Sequence, residues 1–368
     1  MGGIGKSTLA RRNDPSISCR FNVTSWVTVS QEYDAREMLL DVLSCFFSPN
    51  EMKTYHKMSE DELLEKVHRI LKCKRYLIAL DYIWSIEAWD QVKRSFPDDG
   101  NGSRVVITTR LLEVADCADN IGCRPHHMSF LNLEDSWKLL SLKLFGYEDS
   151  CPPQLKQVGR LIGQQCQGLP LSIVVIAGVL SNIDRTYDDW IKISDNMNSH
   201  IGSTFEQCLS ILALSYNYLP CSLTACFLSM GVYREDAEID VDGLIRVWVA
   251  EGFLKRSISH KKPEEVAEEC LEDLVSRCLV MFTSRAWVTG KITGCKIHDL
   301  VRLLCLREGK AEKFFHVINK CYSEEEGVHI ERRLILHEDA VRNQNLGLEK
   351  CSLDSVRAIL CLNRPGTF

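Results

Sequence analysis

In the N-terminal third of the chain, apolar positions switch repeatedly between a strand-like and a helix-like period. Runs rich in β-branched residues, FNVTSWVTVS (21–30), RYLIALDYIW (75–84) and SRVVITTR (103–110), read as strands. Between and after them, Ala35–Phe47, Asp61–Leu71 and Ile86–Ser95 repeat their apolar residues at helical spacing. Strands alternating with helices predict crossover connections and a parallel sheet, whose ligands gather at the carboxyl ends of the strands.

From about Leu131 the pattern becomes helix after helix: LNLEDSWKLLSLKLFG, PQLKQVGRLIGQQCQ, LPLSIVVIAGVLSN and YDDWIKISDNM. Asp149–Pro153 reads as a hinge between the two regimes. A third region starts near Phe205 with the helical segments LSILALSYNYLP, SLTACFLSMGVY, VDGLIRVWVAEGFL and EEVAEECLEDLVSRCLV, followed by the hairpin-like MFTSRAWVTGKITGCKIHD. Helices and then a hairpin is the order of a winged-helix unit. Beyond Glu308 the signal weakens, and ERRLILHEDA and SVRAILCLN read as isolated strands.

Composition narrows the class. A length of 368 residues predicts two or three domains, and 45% hydrophobic with 26% charged residues is the balance of a folded globular protein. A net charge of −6 argues against a general affinity for nucleic acid or anionic lipid. The 17 cysteines are scattered singly with no C-x-x-C pair, which predicts neither a zinc site nor a disulfide framework but reduced, mostly buried thiols. The residues after Met1 form a glycine-rich loop, not the apolar run of a signal peptide. The longest apolar run, Leu171–Leu180, is about half the roughly 20 residues of a membrane span and predicts a buried helix.

The candidate chemistry begins at the first residues. MGGIGKSTLA supplies Gly5, Lys6 and Ser7 of the phosphate-loop pattern G-x-x-x-x-G-K-[ST], whose first glycine would fall one position before Met1. Gly2, Gly3 and Gly5 let the backbone curl, Lys6 reaches β- and γ-phosphates, Ser7 offers Mg²⁺ a hydroxyl, and Thr8 lies beside the α-phosphate. The plain alternative is a glycine-rich tail ahead of a helix. LIAL ends in Asp81, a carboxylate placed to serve Mg²⁺, or else to start a turn. TTR ends in Arg110, which either senses a γ-phosphate or is a surface arginine.

MGGIGKSTLA, FNVTSWVTVSQEYD, RYLIALDYIWSIEAWD, NGSRVVITTR, CQGLPLSIVVIAG, CFLSMGVYREDAEI and KIHDLVRLL together resemble the nucleotide-binding (NB-ARC) module of plant nucleotide-binding leucine-rich-repeat resistance proteins. The details are most similar to the coiled-coil class, near the late-blight resistance group, and the resemblance runs from about Met1 to Glu308. It implies an α/β P-loop domain over 1–147, a helical domain with GLPL over 148–204, a winged-helix domain with an MHD-like motif over 205–310, and a linker with the possible start of leucine-rich repeats over 311–368.

The same resemblance implies a switch: ADP held at rest, exchange for ATP, and assembly into an oligomer that starts a defence response and local cell death. Carried over by position, Gly3, Ile4, Gly5, Lys6, Ser7 and Thr8 hold the phosphates, Ser7 and Asp81 serve Mg²⁺, and Arg110 reads the γ-phosphate. Pro170 of GLPL packs on adenine, and His298 of IHD touches the ADP β-phosphate. Taken alone, GLPL is a helix-starting turn, His298 a structural histidine, and Asp299 the cap of the helix LVRLLCLREG. Implied partners are other receptor domains or protomers, with a pathogen effector or host target acting indirectly. No nucleic acid and no integral membrane span are expected. The implied location is cytoplasmic, with peripheral attachment to the plasma membrane on activation left open.

Four departures from the family pattern matter. The strand before the phosphate loop is expected to be missing, TLARRNDPS is about two residues short, and Ile297 replaces the methionine of MHD. Tyr82 stands where a second acid is usual, and a phenol with a pKa near 10 is a poor base, so binding with weak or no hydrolysis is expected. An N-terminal signalling domain and most of the repeats are also expected to be lacking. Two other functions stay open: an active ATPase, and a truncated fragment that acts only through protein contacts.

Overall fold

The computed structural model describes residues 2–11, 19–29, 35–118, 124–147, 150–198, 204–235, 237–254, 261–318, 333–337 and 358–362. They form two compact units, Met1–Ser129 and Phe130–Phe368, each with its own core.

In the first unit a short helix α1 (Lys6–Ala10) follows the glycine-rich loop. The strand β1 (Val23–Thr28) is followed by α2 (Ala35–Ser44), α3 (Pro49–Tyr55) and α4 (Glu60–Leu71). Then come β2 (Tyr76–Ile83), α5 (Ile86–Val92), β3 (Arg104–Thr109) and α6 (Leu112–Cys117). The strands make the expected parallel sheet in the order β1-β2-β3, with Val23 opposite Tyr76 and Leu77 opposite Arg104. As the central strand, β2 is covered on both faces, which is why its sequence is a continuous apolar run instead of an alternating one. Among the described residues β3 pairs on one side only, and Val106 on it stays 38% exposed.

The helices follow from local chemistry. Ser59 caps α4 and Glu62 completes the capping box, while Leu63, Val67 and Leu71, spaced four apart, are the buried stripe. The periodicity missed α3, whose seven residues are too few to show a repeat; Ser48 before it and Pro49 at its first position are the start signal.

The second unit opens with a bundle of α7 (Leu133–Phe145), α8 (Pro153–Gln165), α9 (Pro170–Leu180) and α10 (Tyr187–Asn198). By packing, the division between units falls at Ser129, because Trp137, Leu140 and Leu144 of α7 enter the core built by α8, α9 and α10. Eight of the residues of α9 are buried, on every side of the helix, which explains its unbroken apolar sequence.

The winged-helix region follows with α11 (Thr204–Asn217), α12 (Thr224–Ser229), β4 (Ile239–Asp240), α13 (Val241–Ala250), α14 (Pro263–Ser276), β5 (Met281–Arg285), β6 (Ile292–Lys296) and α15 (Asp299–Ala311). Its antiparallel sheet runs β4-β6-β5, so the expected hairpin gains a third strand. Trp248 of α13 is fully buried and donates its indole N–H to Ser229 at 2.8 Å, fixing α13 against the end of α12.

The strands near the C-terminus are not isolated. β7 (His316–Ile318), β8 (Arg333–His337) and β9 (Ala358–Leu362) pair in parallel in that order, with His316 opposite Leu334 and Arg333 opposite Ala358. Parallel partners are joined by long connections, so nothing in either segment's own pattern names its neighbour. Arg333 ties this sheet to the winged-helix region: it is 2.6 Å from Glu251 and lies over the rings of Phe253 and Phe314.

Cys166, Cys208, Cys226, Cys295 and Cys305 are buried, but Cys45, Cys73 and Cys221 are exposed, so burial is less general than expected. Among the described residues no helix is long and apolar enough to cross a membrane. Residues 12–16 of the shortened link and Asp149 of the expected hinge lie outside the described residues.

Candidate functional site

The loop before α1 turns through Gly3 at φ 71° and Gly5 at φ 96°, conformations that side chains with a Cβ rarely adopt. Ile4 between them is buried and seats the loop on the unit's interior. Gly5 is the residue before the first turn of α1 and brings no capping side chain. The leading N–H groups of α1 therefore receive no side-chain cap from Gly5, which is the local arrangement an anion can use. Lys6 and Ser7 stand on this first turn, as does the exposed Thr8.

β2 and β3 supply the facing half. Leu80 pairs with Ile107 and Ile83 with Thr109, so Asp81 and Tyr82 together oppose the single residue Thr108. This is a β-bulge, and Tyr82 in it has φ 66°. Thr108 holds the bulge closed: its Oγ1 accepts the Tyr82 N–H at 3.0 Å and donates to Asp81 Oδ1. The Ser7 hydroxyl donates to the same Oδ1 at 2.9 Å. Asp81 is only 2% exposed, so two hydroxyls from different elements compensate a desolvated carboxylate.

Lys6 and Arg110 bring the opposite charge. Burial pushes the Lys6 ammonium below the ordinary lysine range; nearby Arg110 pushes the same way and Asp81 opposes both. Arg110 follows β3 directly, and its guanidinium lies 5.4 Å from the Tyr82 ring centroid and 5.1 Å from that of Trp84. The two rings stack on each other at 6.2 Å with 19° between their planes.

Two cations thus converge with one carboxylate in partly buried ground, and an anion placed there relieves the repulsion between them. A hydroxyl beside a buried carboxylate is an oxygen pair of the kind Mg²⁺ takes. The residues fit a phosphate together with Mg²⁺, with Ser7 and Asp81 as the residues that would hold the metal.

Of the sequence-predicted residues, Gly3, Ile4, Gly5, Lys6, Ser7, Thr8, Asp81 and Arg110 all belong to the first unit. Thr108 and Trp84 escaped the sequence reading, although a threonine near the end of a strand and an aromatic just past one were visible signals. Pro170 and His298 belong to the second unit, where each has a local role. Pro170 is the first residue of α9, after Gly168 at φ 70°, whose carbonyl accepts the Leu131 N–H at 2.9 Å. His298 caps α15: its Nδ1 accepts the Leu300 N–H at 3.2 Å, and it also lies beside Asp299 Oδ1. The capping role expected of Asp299 therefore belongs to His298, because Asp299 is already the first helical residue.

Comparison with known proteins agrees with this architecture. Residues 1–150 match the NB-ARC domain family, and residues 232–305 match the disease resistance protein winged helix domain. The chain is 39% identical over 322 residues to a putative late blight resistance protein homolog of Solanum demissum, covering 87% of this chain and 24% of that protein. To another putative late blight resistance protein homolog of the same plant it is 38% identical, with the same coverage of both. The chain thus spans about a quarter of the length of the curated relatives it matches. Among solved structures it matches the Aeropyrum pernix ORC1 protein in complex with DNA at 12% identity and a TM-score of 0.34, over 85% of this chain and 86% of that one. That level of likeness bears on neither mechanism nor ligand.

Proposed function

We propose that this chain, which belongs among the NB-ARC disease resistance proteins, binds ADP and ATP with Mg²⁺ as the nucleotide switch of a plant immune receptor. The observation that carries the reading is the convergence of Lys6, Ser7, Asp81 and Arg110 beside the glycine loop. Lys6 neutralises the β- and γ-phosphates, the Gly3–Thr8 backbone cradles them, and Arg110 reads the γ-phosphate. Ser7 and Asp81, already paired by a hydrogen bond, would hold the Mg²⁺, which would neutralise phosphate charge. In this reading Pro170 packs on adenine and His298 touches the ADP β-phosphate, holding the resting state.

The functional divisions are a P-loop domain over 1–147, a helical domain over 148–204, a winged-helix domain over 205–310 and the approach to leucine-rich repeats over 311–368. The protein works in the cytoplasm and signals through other receptor domains or protomers, with effectors acting indirectly. Hydrolysis is weak, because Tyr82 offers a phenol where a base is needed and its ring is engaged with Arg110 and Trp84.

The test is a calorimetric titration of the purified chain with ADP and with ATP in the presence of Mg²⁺. The wild-type chain is expected to bind both, and Lys6→Ala to lose both. Equal heats from the two proteins would sink the reading.

A further inference from the structure

Arg110 is held by a surface to which the family resemblance assigns no role. Its guanidinium faces the rings of Tyr82 and Trp84 at 5.4 and 5.1 Å, and those rings are themselves nearly parallel. A guanidinium is planar and weakly hydrated, so ring faces hold it without cancelling its charge. Arg110 also sits near enough to Lys6 to push its ammonium down. That repulsion favours any rotamer that carries Arg110 away from Lys6.

We infer that Tyr82 and Trp84 form an aromatic shelf that positions Arg110 beside Lys6 and thereby sets the ratio of the site's ATP affinity to its ADP affinity. This rests on the nucleotide reading above. Tyr82 is a positioning residue that acts through Arg110, and it does so where an acid was expected. A carboxylate at that position would also hold Arg110, but as an ion pair, and would subtract from the positive charge available to a third phosphate. The ring keeps Arg110 in place and leaves that charge intact. The bulge is what makes the arrangement available: two residues opposite Thr108 put Tyr82 at φ 66°, where its ring stacks on Trp84.

The test measures the affinities of the full chain for ADP and for a non-hydrolysable ATP analogue by competition against a fluorescent ADP. Tyr82→Leu is expected to lower the ATP-to-ADP affinity ratio by about two- to thirtyfold, the weight of a cation–π contact, with ADP binding retained. Tyr82→Phe is expected to restore the wild-type ratio, because the ring face and not the hydroxyl does the holding. Trp84→Leu, outside the bulge, lowers the ratio in the same direction and serves if Tyr82→Leu does not fold. A wild-type ratio in the leucine variants, with ADP still bound, overturns the shelf and leaves the nucleotide site standing. A wild-type chain that binds neither nucleotide overturns the site and the shelf together.

Discussion

Ser7 Oγ and Asp81 Oδ1 lie 2.9 Å apart although 74 residues separate them along the chain. The hydrogen bond joins the first turn of α1 to the bulge in the central strand, and Thr108 from β3 completes it from the other side. Three elements therefore meet at one carboxylate.

The first prediction concerns that carboxylate. Asp81→Asn keeps a carbonyl oxygen for Ser7 and Thr108 but removes the charge. The Mg²⁺-dependent part of ATP affinity is expected to fall about tenfold, the weight of one charge-assisted contact of roughly 1.5 kcal/mol. Titrations with Mg²⁺ and with a chelator read the difference, and an undiminished Mg²⁺ dependence would remove Asp81 from the metal site.

Lys6 predicts a conflict between stability and binding. Burial, then Arg110, hold its folded value below the ordinary 10.5, so the unfolded chain binds the proton more tightly than the folded one. The resulting penalty is complete below the folded value, shrinks as pH rises towards 10.5 and vanishes above it. Lys6→Met is therefore expected to raise the urea midpoint of the nucleotide-free chain at neutral pH, by a margin that narrows in alkaline buffer, while ADP ceases to stabilise it. A lower midpoint would mean that the favourable contacts of the ammonium, Asp81 among them, outweigh its burial and the repulsion from Arg110.

Tyr82→Asp tests the missing base. At saturating ATP, steady-state phosphate release is expected to increase, because a carboxylate then stands where water could be oriented and deprotonated. An unchanged rate would place water activation elsewhere.

For His298 the cap and the proposed nucleotide contact can be separated. His298→Ala is expected to cost about 1 kcal/mol by uncapping α15, whereas His298→Asn keeps a capping side chain and most of the stability. If His298 also touches ADP, affinity falls in both variants. A loss confined to the alanine variant would make it a structural histidine only.

Gly178→Val probes a close backbone approach in the second unit. A Cβ at this position would come within 2.0 Å of the Arg277 carbonyl oxygen, so α9 must shift from the end of α14. Destabilisation of about 1–3 kcal/mol is expected in urea unfolding, and a neutral result would show that α9 has room to move.

Much of the site was legible in the sequence because its chemistry is local. The glycines before Lys6 and Ser7, the apolar run ending in Asp81 and the threonines before Arg110 each state a backbone requirement or a charge that neighbouring residues alone explain. The order of strands and helices was legible for the same reason, since burial on one or both faces is written into the hydrophobic period. The tertiary structure alone decided the relationships between segments. Register placed Asp81 and Tyr82 together opposite Thr108, a choice no single strand carries. Through-space contact turned Tyr82 from a substituted acid into one of two rings beneath Arg110. Helix geometry gave the cap of α15 to His298, and parallel pairing joined the two C-terminal strands that looked solitary to each other and to β7, which the sequence pattern did not show. A chain's own pattern reports what each residue must avoid or bury; which distant residue satisfies it is settled only when the backbone closes.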